Sequence, residues 1–275
     1  MIVLICGANG QLGRATSAAL AGAATPLSSR ELDVCDLSAV RGALKQYQPT
    51  AVINCATYTQ VDDAETNQQA AYRVNALGPR NLAPATAARG IALLHVSTDY
   101  VFDGSAGRAD NEFDVPCPAS GYGASKLAGG LAIAQLNRRH YIVRTAWLCD
   151  AVSQNFPNTM LKLSERDEVR VVVDKVGSPT YAPHLADALT ELLATDSFGI
   201  WHLAGAGATS WHGPTTELYA QLHISTPVIA VTTAEFPRPA ARPACSILES
   251  WQLPQIQLPR WQEGLREFAA TRVLT

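Results

Sequence analysis

The sequence is poor in charge. Only 16% of its 275 residues are Asp, Glu, Lys or Arg, against ~25% in an average globular protein. Its 21 basic and 24 acidic residues nearly cancel, leaving a formal net charge of −3. That excludes the basic field needed to hold nucleic acid or an acidic membrane. An anionic ligand would have to be held by local devices: backbone amides, helix ends or single arginines. No run approaches the ~20 apolar residues of a membrane span. The apolar start, Met1 to Cys6, is too short for a secretory h-region and lacks a basic flank, so a cytoplasmic protein is expected. There is also no CxxC. Cys6, Cys35, Cys55, Cys117, Cys149 and Cys245 are scattered, which excludes a disulfide framework and predicts free, mostly packed thiols.

What is present is apolar bulk. Hydrophobic residues make up 47% of the chain, which excludes disorder and suits one or two domains around a substantial core. Short apolar runs alternate with helical spacing through the first half. Strands are expected at 2–6, 51–55, 91–97 and 140–147, and helices at 11–21, 37–47 and 122–137. A long helix over 66–89, bent at Gly78-Pro79, is also expected. Strands without polar alternation are buried on both faces, and alternation with helices implies parallel βαβ units. The predicted fold is a doubly wound parallel α/β sheet over 1–150, with a smaller α/β part over 151–275 whose segments return in places to the sheet. In that part a strand is expected at 169–173, a helix at 184–193 and a strand at 199–203. Pro237, Pro239, Pro243, Pro254 and Pro259 divide the last forty or so residues into short elements.

Gly7-Ala8-Asn9-Gly10-Gln11-Leu12-Gly13 follows the first strand and opens a helix. In that context Gly7 permits a tight turn, Gly10 lets the backbone approach a pyrophosphate, and Gly13 lets the helix pack on the sheet. The helix N-terminus then faces the diphosphate of a dinucleotide, with Gln11 and Leu12 beside it. The stretch after the second strand, Pro26 to Arg30, holds no acid for a ribose hydroxyl. Arg30 there favours the 2′-phosphate of NADPH, while Glu31 next to it keeps NADH open. Asp36-Leu37 is placed against the adenine, and Asp36 also suits a helix cap. Asn54 to Tyr58 ends the third strand, and Ala56, Thr57 and Tyr58 would pass along the cofactor.

Tyr122-Gly-Ala-Ser-Lys126 is a YxxxK pair at the start of a helix. Positions i and i+4 share a face, so the ammonium would lower the phenol pKa and tune Tyr122 as a proton donor. Thr98, at the end of the fourth strand, would bond the same carbonyl. Glycine loop, strand-end threonine and YxxxK, in this order, define the short-chain dehydrogenase/reductase pattern. After Thr98 comes Asp99-Tyr100. Dehydratases of that superfamily place Asp-Glu there, and without the second carboxylate an elimination lacks its base. Carbonyl reduction remains, with epimerisation less firmly excluded.

Further segments make the likeness specific. GANGQLG at 7–13, Thr59 to Glu65, STDYVFDG at 97–104, YGASKLAG at 122–129, Arg144 to Trp147, Asn155-Phe156, Val176 to Thr180 and Pro239 to Pro243 occur in family order. Over nearly its whole length the chain resembles the dTDP-4-dehydrorhamnose reductase family. The resemblance implies an NADPH-dependent (or NADH-dependent) reductase of a dTDP-bound 4-keto-6-deoxyhexose, working as a monomer or homodimer. It assigns Tyr122, Lys126 and Thr98 to catalysis and Thr98, Asp99, Tyr100, Trp147, Asn155 and Arg242 to the sugar nucleotide. It places the cofactor on Gly10, Gln11, Leu12, Asp36, Leu37, Ala56, Thr57 and Tyr58, besides Gly7, Gly13, Tyr122 and Lys126. Trp147 would offer a flat apolar surface to the deoxysugar, and Arg242 would clamp its diphosphate. The chain departs from the family's usual residues in four places: Ala241, Cys245, Asp63 and the Arg14-Ala15 pair. Members that bridge two subunits with Mg²⁺ carry a glutamate at the last of these, so no metal is expected here. Two other readings stay open: reduction of a different dTDP-4-keto-deoxysugar, and a non-catalytic NADP(H)-binding subunit, which would be free to lose the catalytic pair.

Overall fold

The structure, a computed structural model, describes residues 2–273. The first half runs β1 (Val3–Cys6), α1 (Gln11–Leu20), β2 (Ala24–Leu27), α2 (Leu37–Tyr47), β3 (Ala51–Asn54), α3 (Gln68–Tyr72), α4 (Gly78–Ala87), β4 (Ala92–Thr98), α5 (Gly121–Leu136) and β5 (His140–Thr145). The second half carries β6 (Leu148–Cys149), α6 (Phe156–Leu163), β7 (Val169–Val172), β8 (Val176–Gly177), β9 (Thr180–Tyr181), α7 (Ala182–Leu193), β10 (Gly199–His202), β11 (Thr209–Ser210), α8 (His212–Gln221), β12 (Val228–Val231) and α9 (Trp261–Val273).

Strands β10-β5-β4-β3-β1-β2, in that order, form one all-parallel sheet. Val3 to Cys6 are all fully buried, as expected for a strand covered on both faces. Alternate side chains feed two cores. Val3 and Ile5 pack with Leu12 of α1 and with Leu185 and Leu189 of α7. Leu4 and Cys6 pack with Leu44 of α2, Leu82 of α4 and Ile133 of α5. Pro26, which cannot donate to a ladder, sits in β2 at the sheet edge. The strand order reverses between β1 and β3, and in such sheets the ligand crevice opens at the carboxyl ends of those strands.

The structure identifies which part of the second half returns to the sheet, and two features differ from the sequence reading. Residues 182–203 return to the sheet: α7 packs on α1, and β10 pairs with β5. A parallel neighbour for β5 needs a crossover helix, and α7 supplies it. The helix expected over 66–89 is broken instead into α3, a π-helical turn at Arg73–Leu77, and α4. Pro79 has no N–H to donate to the carbonyl four residues back, at Asn75, and the wider turn accommodates that gap. The proline-rich tail ends in a full helix, α9, which buries Trp261, Leu265, Phe268 and Ala269 in a third core with Met160, Val171 and Tyr219. Their i, i+4, i+7, i+8 spacing was legible, but the prolines before it dominated the reading. All six cysteines are free. Among the described residues, no helix is long and apolar enough to cross a membrane.

Candidate active site

A cavity of about 720 Å³ opens at the carboxyl ends of β1, β3 and β4. Gly7, Gly10, Gln11, Leu12 and Gly13 form one side. Gly7 has φ +75°, and a Cβ there would stand 2.7 Å from the Ala56 nitrogen; one on Gly13 would meet the Gly7 carbonyl at 2.3 Å. Only glycine closes this loop so tightly against β3. The N-terminus of α1 has no side-chain cap and no acid in its first turn. Its first amides are therefore available to an anion. A glycine cradle under an uncapped helix end fits a dinucleotide diphosphate.

Beyond β2 the cavity wall is Ser29, Leu32, Asp33, Val34 and Cys35. Arg30 is exposed and does not line the cavity, but its neighbour Ser29 does. The Glu31 carboxylate turns back and accepts from the Ser28 nitrogen and hydroxyl, both at 2.7 Å. Those bonds hold its pKa below the ordinary glutamate value. Asp36 and Leu37, expected against the adenine, stand at the start of α2. Asp36 Oδ1 caps α2 through the nitrogens of Ser38 (2.8 Å) and Ala39 (3.2 Å), and neither residue lines the cavity. The Asp-aliphatic pair on the wall is Asp33-Val34, three residues earlier.

Ala56, Thr57 and Tyr58 line the same cavity as the glycine loop. They are held by Asn75, which the sequence reading missed. Its Oδ1 accepts from Tyr58 N (2.8 Å) and Thr57 Oγ1 (3.1 Å), and its Nδ2 donates to Tyr58 O (3.1 Å) and Ser125 Oγ (3.0 Å). One fully buried amide thus ties the loop after β3 to α5. An asparagine before Gly-Pro in a helical stretch was its one signal.

Tyr122 and Lys126 stand on the first turns of α5, whose start Ser120 caps by accepting from Gly123 N at 3.1 Å. Tyr122 meets the edge of Tyr100 at 5.7 Å. Thr98 Oγ1 donates to Asp99 Oδ1 at 2.8 Å. Burial pushes the Asp99 carboxyl up to about 6. Lys126 is only 2% exposed, and Nζ donates to the Val96 carbonyl at 2.6 Å. The expected lowering of the phenol pKa by this lysine is not found. Burial pushes Tyr122 up to about 12, with the Thr98 and Thr57 hydroxyls pulling the other way. Burial also brings Lys126 down to about 7. The lysine is therefore only partly charged near neutral pH. A phenol that stays protonated is the form an acid catalyst requires.

A second cavity, of about 490 Å³, adjoins the first and shares Gln11, Thr59, Trp147, Leu148 and Trp211 with it. Trp147, with φ +44°, lies face to face with Trp211 at 3.6 Å and 9°. Behind Trp147, a Cβ on Gly177 would stand 2.5 Å from the indole. Trp211 covers one face of the ring, so the flat surface expected for the sugar is shared with a second indole, and the stacked pair lies where the two cavities meet. Asn155 caps α6 (Asn158 N, 3.1 Å) and donates to Gln11 Oε1 at 3.0 Å, lining the second cavity only. Arg242 lines neither cavity. It holds both Asp62 oxygens (2.9 and 3.1 Å), joined by Arg238 at 2.7 Å. Arg242 foremost holds the Asp62 carboxyl down at about 2.

The family model described as the RmlD substrate binding domain matches residues 1–273. This chain belongs to that family. A dTDP-4-dehydrorhamnose reductase of Streptomyces griseus is 40% identical, covering 96% of this chain and 91% of its own. A dTDP-4-keto-6-deoxy-D-glucose reductase of Streptomyces niveus is 38% identical over 76% of this chain and 74% of its own. The crystal structure of dTDP-4-dehydrorhamnose reductase from Bacillus anthracis in complex with NADP is 38% identical and superposes with a TM-score of 0.95, covering 98% of this chain and 100% of that one. The structure places this RmlD-family member's unusual residues. Arg14 pairs with Asp150 (2.6 Å) and with Ser153. Asp63 accepts from the Tyr58 hydroxyl, and the Cys245 thiol faces the Arg108 carbonyl at 3.4 Å.

Proposed function

We propose that this chain reduces the C4 carbonyl of dTDP-4-dehydrorhamnose to give dTDP-L-rhamnose, with NADPH as reductant. The observation that carries the reading is Tyr122 on the wall of the glycine-loop cavity, with Lys126 one helical turn on and Thr98 and Asp99 lining the same cavity. NADPH, held by the glycine loop and Lys126, would supply the hydride that C4 accepts. Tyr122 gives its phenolic proton to the oxygen, and the phenolate regains one from solvent. Thr98 orients that oxygen, and Lys126 holds the cofactor ribose. Tyr100, where a dehydratase base would stand, has its phenol pushed well above the ordinary tyrosine value by burial and cannot serve as a base.

The second cavity supports a place for the nucleoside. Its lining includes Trp211, Phe156, Tyr181 and Trp261, with the amides Gln11, Gln60, Gln154 and Asn155, and no Lys or Arg. Aromatic faces and amide edges suit a neutral pyrimidine rather than a phosphate. Arg242 would meet the diphosphate by leaving Asp62. A second reading, reduction of another dTDP-4-keto-deoxysugar, is favoured by the Streptomyces niveus relative and uses the same chemistry.

Two outcomes test the cofactor side. Arg30→Ala should weaken NADPH at least ~10-fold, the loss of one charge-assisted contact, and leave NADH nearly unchanged. Equal losses in a titration of both cofactors would reject 2′-phosphate recognition. Chelation with EDTA should leave turnover and oligomeric state unchanged, since Arg14-Ala15 stands in the region where metal-bridging members of the family carry a glutamate. Loss of activity that Mg²⁺ restores would reject this.

A further inference from the structure

His95 is fully buried one residue before the carbonyl that holds Lys126, and no step above uses it. Its surroundings fix its tautomer. Asn54 Oδ1 accepts from Ala56 N at 3.1 Å, so the amide's other end, Nδ2, faces His95 Nδ1, also at 3.1 Å. An amide nitrogen only donates, so Nδ1 must be the acceptor and the ring proton must sit on Nε2. A second proton on Nδ1 would face the amide donor, and burial also keeps the ring neutral, well below the ordinary histidine range. Nε2 lies 3.5 Å from Lys126 Nζ. An ammonium is donor-only, so with Nε2–H it places donor against donor. A free amine has a lone pair for Nε2–H and still gives one N–H to the Val96 carbonyl.

We propose that His95 is a positioning residue for Lys126: locked by Asn54 as the Nε2–H tautomer, it holds the lysine as a free amine in the unliganded site, so that binding of an anionic dinucleotide takes up a proton. The ribose oxygens of such a ligand accept hydrogen bonds, and its diphosphate is negative; both favour the ammonium. The other titratable groups around Lys126 are Cys55 and Tyr122. Burial pushes both up to about 12, so neither is charged near neutral pH. The inference concerns the unliganded protein, so it stands or falls apart from the proposed substrate.

The chain has only four lysines, Lys45, Lys126, Lys162 and Lys175, so NMR of [ε-¹³C]lysine-labelled protein resolves Lys126 directly. Its midpoint in the unliganded protein should lie near 7. His95→Gln, whose amide can turn an oxygen to Nζ, should raise that midpoint by about one unit or more, the scale of a buried hydrogen-bond mismatch. Proton uptake on NADPH binding at pH 8, read by calorimetry in two buffers, should approach one in the natural protein and fall by about half or more in the variant. An unchanged midpoint, or equal uptake, would reduce His95 to a packing residue. Should the variant not fold, ¹⁵N shifts of the natural protein decide: a proton on Nδ1 of His95, or a Lys126 midpoint near 10, overturns the proposal.

Discussion

Tyr122→Phe is expected to lower turnover by ~10²-fold or more while NADPH affinity and the melting temperature stay close to those of the natural protein. The change removes one hydroxyl. The ring keeps its edge contact with Tyr100 at 5.7 Å, and Ser120 still caps α5. What is lost is the proton for the developing alkoxide, and general acid catalysis contributes ~10²–10⁴-fold. The sign of the pKa shift matters here. Burial raises the phenol pKa to about 12, so the proton is present throughout the neutral range. Stopped-flow hydride transfer and a fluorescence titration of NADPH would separate the two effects. Undiminished hydride transfer would remove Tyr122 from the chemistry. Parallel loss of cofactor binding would make it a binding residue instead.

The second large effect concerns the helix beneath that tyrosine. Gly129 of α5 crosses the π-helical turn so closely that a Cβ on it would stand 2.0 Å from the Asn75 carbonyl and 3.1 Å from the Pro79 ring. That carbonyl belongs to backbone already widened to accommodate Pro79, so it cannot yield cheaply. Gly129→Ala should destabilise the protein by about 2–3 kcal/mol, at the upper end of overpacking costs. It should also cost turnover, because α5 carries both Tyr122 and Lys126, and a displacement of ~1 Å can cost ~10²-fold. Gly130 is the control. A Cβ there would make an ordinary contact, 3.6 Å from Ile142, and alanine should gain up to ~1 kcal/mol from helix propensity. Thermal unfolding of both variants decides; a similar effect at both positions would contradict the packing described for α5.

Much of this was legible in the sequence because it depends on local pattern. The strands containing Val3–Cys6 and Val52–Asn54 are uninterrupted apolar runs because helices cover both sheet faces. The glycine loop and the Tyr122–Lys126 pair carry their geometry in their spacing. What was not legible depends on partners distant in the chain. Trp147 reads as an open platform until Trp211 is seen against it. Arg242 reads as a clamp for an anion until Asp62 is found in its grip. Asp36 reads as the acid nearest the adenine until Asp33-Val34 is found on the cavity wall. The charge of Lys126 follows from burial against Val96 and His95, which no i, i+4 rule encodes. Asn75 escaped notice because its four bonds link segments that the sequence keeps apart.

The most direct measurement is a reaction of this protein with dTDP-4-dehydrorhamnose and NADPH carrying deuterium at the transferred position, followed by NMR of the sugar. The account predicts one NADPH oxidised per sugar, with deuterium at C4 of dTDP-L-rhamnose. Tight NADPH binding without oxidation, or a product formed with the cofactor unchanged and no deuterium at C4, would contradict it.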